Sequence, residues 1–266
     1  MIRVILILAG LLVWPVAAQA QSGVLIEMIE REGARVTLTL QGSQARIESL
    51  GEPWMLIDWS RNTFHVVDEQ ERQIIDLSQM VGRPAPALSP EAVGARLVAR
   101  GAGPQVAGYP TERHAVMVGA THCEDVYASP RLMQEAGLQP LGEALLQMER
   151  VFGADEALLG VPDDPCTQAN RALGSALYAL GFPMRVVAAD GLVENEVVRV
   201  ERGAELPGDH FDLPQGYQVV RMDQLLEQQR QMQQELMRRL PEEGIDDETR
   251  RQLEAFMREM EQQRQR

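Results

Sequence analysis

The sequence predicts an α+β fold in which an antiparallel sheet is interrupted by helices in mid-chain and resumes after them. Three observations lead there: short runs with period-two alternation from Gly23 to Leu77, a helical periodicity between Gln139 and Leu180, and alternating runs again from Met184 onward. A polar, helix-forming stretch follows from Met222.

Residues 1–20 read as a secretory signal peptide. Arg3 gives a basic start, Val4 to Val16 form an apolar run shorter than the roughly 20 residues a membrane helix needs, and Ala18-Gln19-Ala20 is a small-x-small cleavage site. The mature chain is expected to begin near Gln21, to have 246 of the 266 residues, and to be periplasmic or secreted. Losing Arg3 takes the formal charge from −14 to −15. An acidic chain of this kind repels phosphate backbones and anionic head groups, so nucleic acid is not an expected partner.

In "ARVTLTLQ" the apolar residues Val36, Leu38 and Leu40 alternate with Arg35, Thr37 and Thr39, the pattern of a strand with one wet face. Ala45 and Ile47 face opposite to Arg46 and Glu48, and "QGS" at Gln41 to Ser43 joins the two runs as a hairpin turn. Further strands are predicted at Trp54 to Trp59, Thr63 to Asp68 and Arg72 to Leu77. Connections this short allow only an antiparallel meander.

Between Met80 and Pro104, "GRPAPALSPEAVGARL" reads as a loop and a short helix capped by Ser89 with Pro90 in its first turn. Strands are predicted again at Arg113 to Val118 and His122 to Ala128, around Gly119. Leu141, Leu145, Met148 and Phe152 mark a helix from Gln139 to Leu159. A second helix, from Cys166 to Leu180, is expected to use Ala172, Ala176 and Leu180 as one side. Strands return at Met184 to Ala189 and Val193 to Glu201, and "FDLPQGYQVV" at Phe211 to Val220 closes the domain. The organisation is therefore a signal peptide (1–20), a sheet domain (21–221) and a helical tail (222–266). The tail carries a thin apolar stripe (Met222, Leu225, Met232, Leu236, Leu240), the breaker "PEEGIDD", and a second stripe at Leu253, Phe256, Met257 and Met260.

Cys123 and Cys166 are the only two cysteines. In an exported chain a pair left over in this way is most simply a disulfide, the alternative being an unpaired buried thiol. The chain-entropy model assigns such a loop roughly 4 kcal/mol of stabilisation. A catalytic thiol needs a histidine placed as its base, and adjacent strand residues such as His122 point to the other face. Zinc needs four ligands at recognisable spacings, and neither C-x-x-C nor H-E-x-x-H occurs.

Nothing else in the sequence points to catalysis. There is no G-x-S-x-G elbow and no glycine-rich phosphate loop, and His65, His114, His122 and His210 are scattered. Glu194 and Glu196 sit two apart on one strand, which in an acidic protein reads as a solvated face. The expectation is a protein that is not an enzyme and holds no cofactor and no metal.

At "VAGYPTERHAV…CEDVYAS…GFPMRVV…ENEVVRVERG…FDLPQGY" the chain resembles a family of bacterial envelope proteins of unknown function, related to the lipoprotein localisation carrier superfamily. The matching residues are Ala107, Gly108 and Tyr109, then Cys123 and Tyr127, Gly181 and Pro183, and finally Phe211, Leu213, Pro214, Gly216 and Tyr217. Members often carry a second Cys after the Gly-Tyr and a Trp after the later Cys, where this chain has Pro110, Thr111 and Tyr127. The tail lies outside the resemblance.

The resemblance implies a curved antiparallel half-barrel sheet around plug helices, with an apolar space that accepts acyl chains. Its wall is then Val36, Leu38, Ile47, Ile57, Phe64, Val66, Met117 and Tyr127. The same residues serve equally as the plain core of a curved sheet. The expected function is binding of a hydrophobic or amphipathic ligand, a lipid or a lipoprotein acyl chain, in that cavity. The alternative is an envelope interaction protein, chaperone-like, acting on a protein partner through residues 222–266.

Overall fold

Pairing of the alternating runs produces one large, curved, unclosed sheet of twelve strands. The structure is a computed structural model that describes residues 21–81, 88–158, 164–225, 227 and 231–232. The expected signal peptide lies outside these residues, as does the tail apart from helical backbone at 222–225, 227 and 231–232.

The first six strands are β1 (Gln21–Glu30), β2 (Arg35–Gln41), β3 (Gln44–Ser49), β4 (Trp54–Asp58), β5 (Thr63–Asp68) and β6 (Gln73–Asp76). A short helix α1 (Pro90–Val93) precedes β7 (Ala95–Ala102), β8 (Glu112–Val118) and β9 (Thr121–Ser129). Helices α2 (Pro130–Glu135), α3 (Gln139–Leu158) and α4 (Pro165–Leu180) follow, and then β10 (Phe182–Ala188), β11 (Val193–Leu206) and β12 (Gln218–Arg221). The strand order is β12-β6-β5-β4-β3-β2-β1-β11-β10-β9-β8-β7, so the chain builds the left half, then the right edge, and returns to join them through β11.

The expected meander is present from β2 to β6, and Gly42, at φ 58°, supplies the positive φ of the two-residue turn between β2 and β3. One pairing departs from the expectation of a wholly antiparallel sheet. β12 lies parallel to β6, because the chain reaches that edge from the far end of β11 through an eleven-residue crossing rather than a tight turn.

Two elements went unpredicted. The stretch after α1 is a strand, β7, whose Ala95 and Leu97 turn inward, and the Pro/Ala/Gly bias of the preceding loop hid that alternation. Ser129 caps α2 with Pro130 in the first turn, its hydroxyl accepting from Leu132 N at 3.3 Å, the same device that Ser89 and Pro90 use at α1.

Cross-strand partners share a face, so the register sorts the side chains. On the inner face, Ile26, Leu38, Leu40, Ala45, Ile57 and Phe64 pack with Leu132 and Met133 of α2 and with Leu138, Leu141 and Ala144 around the start of α3. In the right half, α4 lies over β7, β8 and β9. Its buried side is Ala169 and Leu173, continued by Leu177 and Leu180, while the expected Ala172 is half-buried and Ala176 exposed. The outer face of the left half carries its own cluster of Trp54, Leu56, Val67, Ile74, Leu206 and Phe211.

Candidate functional site

The inner face of the left half is graded. Leu40, Ala45, Ile57 and Phe64 stand side by side across β2, β3, β4 and β5 and are all buried, Phe64 at 1% exposure. One step along the strands, Ile47, Met55, Val66 and Ile75 form the next row across β3, β4, β5 and β6, and each is only half-buried against the same core. Val220 of β12 is next in register beside Ile75 and is also half-buried. At the interstrand spacing of about 4.8 Å, five such residues make an apolar row roughly 19 Å long. It runs across the strands, where backbone N–H and C=O groups are spent on sheet pairing. Beyond it lie Met28, Val36 and Ser49, again half-buried, and then the β3–β4 turn with Leu50 at 97% exposure.

The eight expected cavity residues therefore divide. Ile47 and Val66 belong to the half-open row and Val36 stands at its rim. Leu38, Ile57 and Phe64 are sealed beneath α2 and α3, as ordinary core. Met117 and Tyr127 do not join them. Met117 pairs with Arg96 and His122, and Tyr127 with Arg113 and Arg185, all on the face of the right half turned away from α4, where Met117 is itself buried. Met55, Ile75 and Val220, which complete the row, were missed, although the alternation of "WMLID" and "QIID" carried the signal for the first two.

In the right half Cys123 and Cys166 form a disulfide with Cα atoms 5.4 Å apart, tying the first turn of α4 to β9. Cys123 is the extra residue of a bulge: Met117 pairs with His122 and Val116 with Glu124. The bulge turns Cys123 toward α4 and leaves His122 and Asp125 together on the outer face. There Arg113 donates to Asp125 at 2.6 Å. Burial pushes the Asp125 carboxyl up, but the Arg113 bond and the nearby His122 outweigh it and hold the group below its usual range.

The four histidines stay apart. His65 faces Asp76 at 3.9 Å, His114 faces Glu112 at 3.6 Å, His122 faces Asp125 at 3.5 Å, and the His210 ring meets Thr39 at 2.7 Å. Glu194 and Glu196 are separated by a second bulge, the first bonded to Arg31 at 2.7 Å and the second 3.9 Å from Arg185. Among the described residues no group of three His, Cys, Asp or Glu side chains is placed to hold a metal ion. No described helix is long and apolar enough to cross a membrane.

No family model matches the chain, and no curated protein matches it. Twenty-one chains of solved structures do. MucB overlays at 14% identity and a TM-score of 0.35, over 76% of this chain and 61% of its own. The Pseudomonas aeruginosa MucA/MucB complex gives 14% and 0.35, over 76% and 59%. PNGF-II gives 11% and 0.38, over 79% and 32%. This chain thus spans less than two thirds of the length of each. At scores this low the fold rests on the strand order and packing described above.

Proposed function

We propose that this is an exported, periplasmic, non-enzymatic protein that binds a hydrophobic or amphipathic chain along the row Ile47, Met55, Val66, Ile75 and Val220. The single observation that supports it is that row: registered apolar neighbours across five adjacent strands, left half-exposed where the row Leu40, Ala45, Ile57 and Phe64 beside them is sealed. A ligand lying across strands finds no free backbone group to pair with, which favours an acyl chain over an extended peptide. Met55 within it, with Met28 and Met148 beside the same core, gives the wall flexible, polarizable side chains that adapt to an irregular chain. The crosslink fits an oxidising compartment.

A second reading, a protein partner bound through residues 222–266, is favoured by the exposure of Val219 at 61% on the edge strand β12 and of Met232 at 70% after it.

Calorimetric titration of delipidated protein with a saturated fatty acid of twelve to sixteen carbons tests the first reading. Binding by the wild type that is lost in Met55→Glu and Val66→Glu is the expected result. Absence of binding by the wild type, or equal binding by the two variants, overturns it.

A further inference from the structure

Across the outer face of the left half runs Pro207 to Tyr217, a segment without helix or strand. Its order depends on what it touches. The His210 ring nitrogen Nε2 lies 2.7 Å from the Thr39 hydroxyl on β2, and Arg46 of β3 donates to the His210 carbonyl at 2.9 Å. The same guanidinium lies 3.8 Å over the Trp54 ring. Phe211, edge-on to His210 at 4.9 Å, is buried with Trp54, Leu56, Val67 and Ile74, and Leu213 and Tyr217 pack beside it. Gln218 N then bonds to Arg72 O at 3.0 Å and β12 begins.

β12 is a four-residue edge strand whose one ladder is with β6, and it carries Val220, the last member of the inner row. We infer that Pro207 to Tyr217 is an acid-released strap: protonation of His210 loosens it, and β12 then leaves β6 and uncovers the Ile75 end of the apolar row. This rests on the reading of that row as a binding site.

The chemistry around His210 sets the direction. Arg46 and Glu48 face it from β3, Thr39 from β2, and Asp209 from the strap itself. Burial and the Arg46 charge hold the imidazole below its ordinary pKa, against the smaller opposing pull of Glu48 and Asp209. In the neutral ring Nε2 meets the Thr39 hydroxyl as acceptor or donor according to tautomer. The imidazolium can only donate to the Thr39 oxygen, whose proton then goes to the Arg46 carbonyl 3.4 Å away, and it sets a second cation beside the Arg46 guanidinium that holds the His210 carbonyl. A group whose folded-state pKa is depressed stabilises the fold above its unfolded value, about 6.5, and that stability is lost as pH falls toward the folded value.

Amide hydrogen exchange of the full chain, read by mass spectrometry at pH 7.5 and 5.5 and corrected for intrinsic rates, tests the strap without any ligand. Peptides covering 207–221 are expected to lose protection several-fold at the lower pH, while those covering 112–129 do not. In His210→Gln, whose amide can still bond to Thr39 but cannot charge, the loss should disappear. Should that variant be unprotected at both values, Glu48→Gln is the second arm: its carboxylate bonds to Arg46 rather than to the strap, and removing its opposing pull on His210 should move the midpoint of strap opening to higher pH. Protection of 207–221 that is unchanged by acid in the wild type, or that falls equally in His210→Gln, overturns the inference, as does an unmoved midpoint in Glu48→Gln. A strap that behaves as expected in a protein that binds no fatty acid at either pH fails the binding reading alone.

Discussion

The carboxyl of Glu124 accepts a hydrogen bond from Asn170 on α4, one residue along β9 from the Cys123–Cys166 bridge. Burial under the helix pushes this carboxyl above its ordinary pKa of 4.5, the nearby Glu194 adds to the rise, and the Asn170 bond and His122 only partly offset it. A raised folded-state value means that the folded protein keeps its proton where the unfolded chain has lost it. Stability therefore falls as pH rises from 4.5 through the folded value. Glu124→Gln keeps an acceptor for Asn170 and removes the charge. Urea melts at pH 5 and 7.5 should show the variant more stable than wild type at pH 7.5, with the difference shrinking at pH 5; a variant less stable at 7.5 contradicts this account.

The bridge itself closes a loop between residues 43 apart in sequence. Cys123→Ser with Cys166→Ser should lower the unfolding free energy by up to about 4 kcal/mol, the chain-entropy value for such a loop. Because the bridge holds only the first turn of α4, exchange protection should drop most in α4 and β9 and least in β2 to β6. Denaturant melts with peptide-level exchange check both parts.

Phe64 and Met55 separate core from row. Phe64→Ala empties a sealed site and should cost about 3–5 kcal/mol. Met55→Ala trims a half-buried side chain with room to adjust and should cost less than Phe64→Ala, while weakening fatty-acid binding. Paired urea melts and calorimetry read the contrast. Equal destabilisation by both would mean that the Ile47–Ile75 row is closed core.

Gly181 ends α4 against the start of α2 with φ at 129°, and a Cβ built there would lie 2.5 Å from Pro130 N and from the Ser129 carbonyl carbon. Gly181→Ala meets backbone rather than a flexible side chain, so either α4 or α2 must move. Gly191 also has a positive φ, 84°, but open space around it. Gly191→Ala should cost roughly 1–2 kcal/mol, the backbone penalty alone, and Gly181→Ala clearly more. Thermal melts of the two variants give the comparison.

Residues whose fate depends on near neighbours were legible in the chain. Alternation in "ARVTLTLQ" marked β2, the spacing of Leu141 and Leu145 marked α3, and Ser89 before Pro90 marked α1. Two cysteines in a chain read as exported pointed to the bridge that forms. These signals are local because φ, ψ preference, capping and side-chain period all act within a few residues.

What the chain did not disclose is what distant partners decide. Period two says that Tyr127 opposes Val126, not which of them looks at a helix; the bulge at Cys123 shifts the phase of β9, and pairing with Arg113 and Arg185 sends Tyr127 outward. The parallel placement of β12, the buried side of α4 and the half-exposure of Met55 beside the sealed Ile57 belong to the same class. Each is fixed by a contact between segments far apart in sequence, the helices on the inner face for α4, Met55 and Ile57 and the crossing from β11 for β12, and so only the folded arrangement could determine it.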